Sequence, residues 1–435
     1  MNRFHPRPAD PSLTIGDVNG PFIYNKKLHL QFQQNPGNGM GWGHVVSDSL
    51  VGPWEDVGYS LLAPNTKDGQ EKTVGYISGS VSVIEEVPYL IVPLNNGNNP
   101  TCCDAYNWDY PDPIDAIVVD VDGGVANHGW VQQDPSHMWV DPTSSDDDVR
   151  YLFLAGTSVN GTENNFNGLP IIEVLRSRTS SPSDGFDFLS TFSSDGLQMC
   201  DPELVTFGNI SLVYSEQFLD AGTNAVLSLF NGNGNTFAPK GFLHEDGRYL
   251  MWATIKGGTN KISLTYEMTF EFDLGIALVN PVEEYKALRS PCGGGIDEIT
   301  TITEADAILA DVELIDPLHL DLEFELKVDP GAGLELSLHG GDIVLGIAMG
   351  SEGNKLELSF NGGVGSEVVM KAAESVQLRI IIDDNVAEIF CMGGRQQLVQ
   401  SFVLGEGGSG LGIQCVEGAE CGQVVRANIF TLAYL

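Results

Sequence analysis

The chain has 435 residues, 42% of them hydrophobic, which is ample for burial and more than one ordinary core organises, so two domains are the starting expectation. Its 59 acidic residues against 21 basic ones give a net charge of −38, which repels phosphate backbones and anionic headgroups and argues against nucleic-acid or membrane partners. No stretch reaches the apolar length of a membrane span, so a soluble chain is expected.

The 51 Gly and 22 Pro are spread without a period, and long helical periodicity is absent, which reads as an all-β protein of short strands and tight turns. From Phe22 to about Arg289 the pattern is strand, turn, strand. Leu28–Phe32, Val81–Ile84, Tyr89–Val92, Tyr151–Leu154, Ile210–Tyr214 and Tyr249–Trp252 are the clearest runs, each ending in a Gly, Asp or Asn turn. Repeated hairpins of this kind fit the blades of a propeller or a large sandwich. Ser290–Gly295 is a composition break, beyond which alternation sharpens in Leu320–Val328, Leu334–Leu338, Leu356–Phe360 and Val376–Ile382, as expected of an antiparallel β-sandwich. The expected organisation is therefore residues 1–289, a linker at 290–300, and 301–435.

Three acidic clusters stand at the mouths of these strands. Asp17 lies in Gly16-Asp17-Val18-Asn19-Gly20-Pro21, Asp141-Pro142 follows Met138-Trp139-Val140, and Asp201-Pro202-Glu203 precedes Leu204-Val205. Radial repetition of hairpins would bring such distant turns to one central mouth. Carboxylates in that setting point to glycoside chemistry. Retaining cleavage needs one carboxylate as nucleophile and a second group as acid then base, roughly 5 Å apart.

The seven cysteines match no zinc spacing, and no metal is expected. Cys415 and Cys421 fit either a small disulfide loop or two free buried thiols, so their pairing stays open. Met1–Pro6 opens without the apolar core of a signal peptide, whereas Asn160-Gly161-Thr162 and Asn209-Ile210-Ser211 are glycosylation sequons, so export also stays open.

The motifs, taken in order, resemble glycoside hydrolase family 32, the invertases and fructan hydrolases, along nearly the whole chain. Thr14–Gly20 is similar to the family's Trp-Met-Asn-Asp-Pro-Asn-Gly, and Trp42–Ser47 to its Trp-Gly-His-Ala-Val-Ser. Ile77–Ser80 is similar to its Phe-Ser-Gly-Ser, and Phe237–Lys240 to its Phe-Tyr-Ala-Pro region. The resemblance implies a five-bladed β-propeller followed by a β-sandwich, retaining hydrolysis of β-fructofuranosides such as sucrose, inulin or levan, and no cofactor. By position Asp17 resembles the nucleophile, and Asp141 the aspartate that holds sugar hydroxyls. Glu203 is the candidate acid/base.

Asn19, Gln33 and Ser78 stand at fructose-contacting positions. Trp42 and Lys240 join them as substrate-binding candidates, each with a framework alternative, packing for Trp42 and internal hydrogen bonding for Lys240. Two departures matter. Val140 replaces the family's arginine before the second aspartate, and Cys200 stands where the family's third motif, Glu-Cys-Pro-Asp, has its acid/base, leaving Asp201 or Glu203 to reach the bond through a shifted turn. A family member that binds carbohydrate without turning it over, or one that transfers fructosyl units, is the alternative expectation.

Overall fold

The computed structural model describes residues 4–34, 41–61, 78–92, 117–120, 130–140, 149–158, 170–193, 203–207, 210–214, 218–219, 226–227, 236–255, 261–292, 294–363, 366–371, 373–403, 410–418 and 420–433. They fall into two compact units, one within Phe4–Ser228 and Phe237–Tyr266, the other within Glu267–Leu435. Both are all-β, with one short α-helix among the described residues.

In the first unit, β1 (Ile15–Tyr24), β2 (Lys27–Gln34), β3 (Gly41–Ser47) and β4 (Glu55–Leu61) form an antiparallel meander in chain order. Asn25 and Lys26 both take positive φ, the two-residue turn whose twist matches the flanking strands. A second sheet holds β5 (Ser80–Ile84), β6 (Val87–Val92) and β7 (Ile117–Asp120), with β7 parallel to β6. The third contains β8 (Trp130–Pro135), β9 (Tyr151–Ser158), β10 (Pro170–Ser177) and β11 (Phe186–Ser193). The fourth contains β12 (Glu203–Phe207), β13 (Ile210–Tyr214), β14 (Phe218–Leu219) and β15 (Val226–Leu227). β16 (Thr236–Leu243), β17 (Tyr249–Ile255) and β18 (Lys261–Ile262) share a fifth.

Successive sheets pack on each other through apolar faces. Phe22, Trp42 and Leu61 of the first meet Val81, Leu90 and Val92 of the second, and Ile91 of the second meets Leu152, Leu154 and Leu175 of the third. Gly20, at φ +146°, lets β1 approach β5: a Cβ there would lie 2.6 Å from the Val81 backbone nitrogen.

The second unit runs through β19 (Tyr266–Glu271), β20 (Ile276–Pro281), β21 (Arg289–Pro291), β22 (Thr300–Thr301), β23 (His319–Val328), β24 (Gly333–Leu338), β25 (Ile343–Met349), β26 (Lys355–Phe360), β27 (Ser366–Val369), β28 (Val376–Asp383), β29 (Val386–Cys391), β30 (Gln396–Ser401), β31 (Gly412–Cys415) and β32 (Gly422–Leu432). One sheet has the order β21-β32-β23-β28-β29-β30, the other β27-β26-β25-β24-β31. Period-two alternation gives each an apolar face. Leu320, Leu322, Phe324 and Leu326 of β23 join Leu334, Leu336 and Leu338 of β24 in a single core.

The helix α1 (Ile302–Ala310) starts at a capping box, in which Thr301 and Glu304 satisfy each other's backbone N–H, and it buries Ile302, Ala305 and Leu309 at helical spacing. Cys415 and Cys421 form a disulfide, whereas Cys292 and Cys391 are free and buried.

Candidate active site

Asp17 sits where the pairing of β1 with β2 slips. The register runs Ile15 to Gln34 and then Val18 to Phe32, so Gly16 and Asp17 together oppose Gln33, and a further irregularity follows at Asn19. A bulge leaves its extra residue outside the ladder and re-aims the side chain, which is why such irregularities occur beside active sites. The bulge is tied down by Thr254 of β17, whose hydroxyl donates to Gly16 O at 2.7 Å. Gly16 also leaves room for Gln33: a Cβ there would lie 2.7 Å from Gln33 Oε1.

The Asp17 carboxylate is partly buried and accepts two hydrogen bonds on Oδ2, from Gln33 Nε2 at 2.6 Å and from Ser78 Oγ at 2.5 Å. Gln33 Nε2 donates to Ser78 Oγ as well, at 2.8 Å, so the three side chains form a closed triangle. Loss of water raises the Asp17 pKa above the ordinary carboxylate range, opposed by the Ser78 hydrogen bond, the Lys240 charge and the Gln33 hydrogen bond. Asn19, in the same strand, is completely buried, and neither end of its carboxamide has a hydrogen-bond partner among the described residues. A buried carboxamide with free donors and acceptor is suited to a polar ligand.

Lys240, whose charge bears on Asp17, pairs with Glu203. The Lys240 ammonium, fully buried, donates to Pro135 O at 2.9 Å and lies 3.3 Å from Glu203 Oε1. Glu203 is 1% exposed and accepts the backbone N–H of His137, with His137 Nδ1 3.2 Å from Oε1. The His137 backbone N–H and the Lys240 ammonium are both donors to it, which suits a carboxylate.

The sequence candidates therefore fall into groups. Asp17, Gln33 and Ser78 are in direct contact, and Lys240 links them electrostatically to Glu203. Trp42 is fully buried in the apolar cluster with Phe22 and Val81, its ring pressed against Gly79, where a Cβ would come within 2.3 Å. Asp141, Cys200 and Asp201 lie outside the described residues, as do Cys102, Cys103, Asn160 and Asn209. His44 is buried against His29, the two rings 3.0 Å apart at their nearest nitrogens.

One contributor gave little sign of itself in the sequence, the segment Pro135–Met138. Its only local hint was a histidine four residues before Asp141. Pro135 O receives Lys240, Ser136 exchanges hydrogen bonds with the Phe153 backbone, Ser80 Oγ donates to Ser136 O at 2.6 Å, and Met138 N donates to Ser82 Oγ at 2.8 Å. His137 reaches Glu203 with its backbone and Nδ1, while its Nε2 lies 3.3 Å from Pro21 O. The segment so touches all five sheets of the unit.

Residues 9–150, which carry Asp17, Gln33 and Ser78, match the model of the glycosyl hydrolases family 32 N-terminal domain. The likeness to that family's N-terminal domain thus covers the stretch that carries the Asp17 triangle. The extracellular exo-inulinase of Aspergillus awamori is 39% identical over 70 residues, 15% of this chain. The exo-inulinase inuE of Aspergillus niger matches over the same length, and in each case the matched stretch spans 12% of the relative.

Solved structures extend the likeness to the whole chain at the level of fold. Fructan 1-exohydrolase IIa of Cichorium intybus, in complex with 1-kestose, superposes with a TM-score of 0.68 at 16% identity, covering 99% of this chain and 97% of that one. Sucrose-6-phosphate hydrolase of Lactobacillus gasseri gives 0.65 at 15% identity, covering 100% and 93%.

Proposed function

We propose that the protein is a retaining β-fructofuranosidase acting on sucrose, inulin or levan. The observation that carries this reading is the Asp17 carboxylate, lifted out of the β1 ladder by a bulge, held on one oxygen by Gln33 and Ser78, and set within the family 32 match. Asp17 attacks the anomeric carbon of the fructosyl unit while the third acidic cluster, through Asp201 or Glu203, gives a proton to the departing sugar oxygen. The fructosyl–Asp17 ester is then attacked by water, whose proton returns to that acid, and fructose leaves. Asp141 holds sugar hydroxyls. Gln33 and Ser78 orient Asp17, and Asn19 offers its buried carboxamide to the sugar.

We further propose a five-bladed β-propeller over residues 1–289, a linker at 290–300 and a β-sandwich over 301–435. Five successive small sheets, the first three of them packed through apolar faces, support the first, and two sheets around one core support the last. The Cys415–Cys421 disulfide and the extracellular exo-inulinase relatives favour an exported protein.

The test is incubation of the purified protein with sucrose, inulin and levan, followed by chromatography of the products. Release of fructose by the wild type, abolished in Asp17→Asn, is the expected result. A wild type that releases no fructose from any of the three rejects the reading.

A further inference from the structure

Within the reading of the site as a fructosidase, one assignment can be taken further. We propose that Glu203 and Lys240 are a buried positioning pair: together they clamp the Pro135–Met138 segment across the unit and hold one positive charge against Asp17.

The geometry leaves Glu203 little freedom to act as a proton donor. Its carboxylate is enclosed, with both oxygens taken by the His137 N–H, Oε1 also facing His137 Nδ1 at 3.2 Å and the Lys240 ammonium at 3.3 Å. A general acid must carry its own proton toward the leaving oxygen, whereas here the His137 backbone N–H and the Lys240 ammonium both point protons at the carboxylate. Lys240 likewise directs its ammonium to Pro135 O and Glu203, so its charge acts through space.

Neither residue is dispensable to the other. A lone buried ammonium or carboxylate is costly, and pairing with good hydrogen bonds makes its burial tolerable. The pair is neutral as a unit, yet its positive end is the one that acts on Asp17. The groups bearing on Asp17 are Lys240 from β16, Glu203 from β12 behind it, and the neutral donors Gln33 from β2 and Ser78 ahead of β5. Asp17 must be ionised to attack, and Lys240 opposes the desolvation that favours its protonated form.

The experiment compares Glu203→Gln, Lys240→Met and the double variant in the full chain. Readouts are the pH profile of kcat/KM on sucrose or inulin, product analysis in sodium azide, and midpoints of thermal unfolding. Lys240→Met is expected to move the acid limb of the profile upward by about one pH unit. Glu203→Gln is expected to keep the alkaline limb and to form no fructosyl azide. In unfolding, the double variant is expected to be more stable than the two single losses sum to, because no uncompensated charge remains.

Loss of the alkaline limb in Glu203→Gln, with azide restoring turnover as fructosyl azide, identifies Glu203 as the acid/base and overturns the proposal. An unmoved acid limb in Lys240→Met overturns it from the other side. Unfolding needs no substrate, so additive losses in the double variant reject the pair even if fructoside cleavage stands. Inactivity of the wild type toward every fructoside rejects the enzyme reading on which the proposal rests.

Discussion

Gln33 donates from its side-chain nitrogen to Asp17 at 2.6 Å while sitting opposite the bulge that carries Asp17, so the residue that displaces the carboxylate from the ladder also holds it. Backbone irregularity and side-chain contact reinforce each other. The orientation of the Asp17 carboxylate is thereby set by β2.

Gln33→Leu keeps the bulk of the side chain but offers Asp17 no donor. A hydrogen bond to a charged group is worth about 1.5–3 kcal/mol, so kcat/KM on sucrose or inulin should fall about ten- to a hundredfold. The acid limb of the pH profile should also move up, since one of the contacts that favours ionised Asp17 is gone. An unchanged profile in a folded variant would remove Gln33 from the site.

Asp17 itself sets a sign. Its folded pKa is raised by desolvation, so as pH falls it takes up a proton earlier than an ordinary aspartate. Activity should fail on the acid side at a pH above the usual carboxylate range. For stability the same shift means that the contribution of Asp17 is full below the unfolded value near 3.8 and is lost as pH rises through the folded pKa. A kcat/KM profile flat down to pH 4 would contradict this.

Two histidine sites should bend stability against pH in opposite directions. Burial pushes His29 down to about 4, and His44 is driven well below its usual value by burial and by His29. Their contribution is full above pH 6.5 and declines as pH falls toward 4. His319 is pushed up to about 9 by its hydrogen bond to Asp383, against burial and with help from Asp316, so its contribution is full below 6.5 and is lost as pH rises toward 9. Urea unfolding at a series of pH values should show His44→Gln flattening the acid side and His319→Gln the alkaline side. Unaltered slopes in both variants would refute the assignment.

The second unit holds a charge cluster that should be intolerant of loss. Asp321, 0% exposed, accepts from Arg289 Nε at 2.8 Å and from Arg379 Nη2 at 2.8 Å, while Arg289 also reaches Glu323 at 2.7 Å and lies 4.4 Å over the Phe430 ring. Asp321→Asn leaves two guanidinium groups short of a carboxylate. Removing one partner of a buried pair typically costs about 3–5 kcal/mol, which should appear as a large drop in the urea midpoint. A drop smaller than about 1 kcal/mol would mean that water replaces the lost carboxylate oxygen.

Much of this was written locally in the chain. Alternation in Leu320–Val328 and Leu334–Leu338 announced the two sheets that enclose the second core, because period-two burial needs only neighbouring residues. Asp17 was legible for a related reason, since its turn-forming flanks and the strand after it lie within ten residues. The site's supporting contacts are of another kind. His137 meets Glu203 across 66 positions and Lys240 meets Pro135 across 105, so no local pattern carries them. Trp42 was a substrate-binding candidate on the sequence with packing as its framework reading, because an aromatic in a strand can serve either; packing across sheets decides its surroundings. Cys415 and Cys421 were equally open, as spacing does not report oxidation.

The Pro135–Met138 segment has a consequence for how the first unit comes apart. Repeated sheets that touch only their neighbours can melt one at a time, in the manner of a zipper. A strap bonded to Pro21, Ser80, Phe153, Glu203 and Lys240 denies them that independence, because freeing any one sheet strips a hydrogen bond from the shared strap. The unit should therefore open all at once or not at all, keeping its site intact until it is lost as a whole.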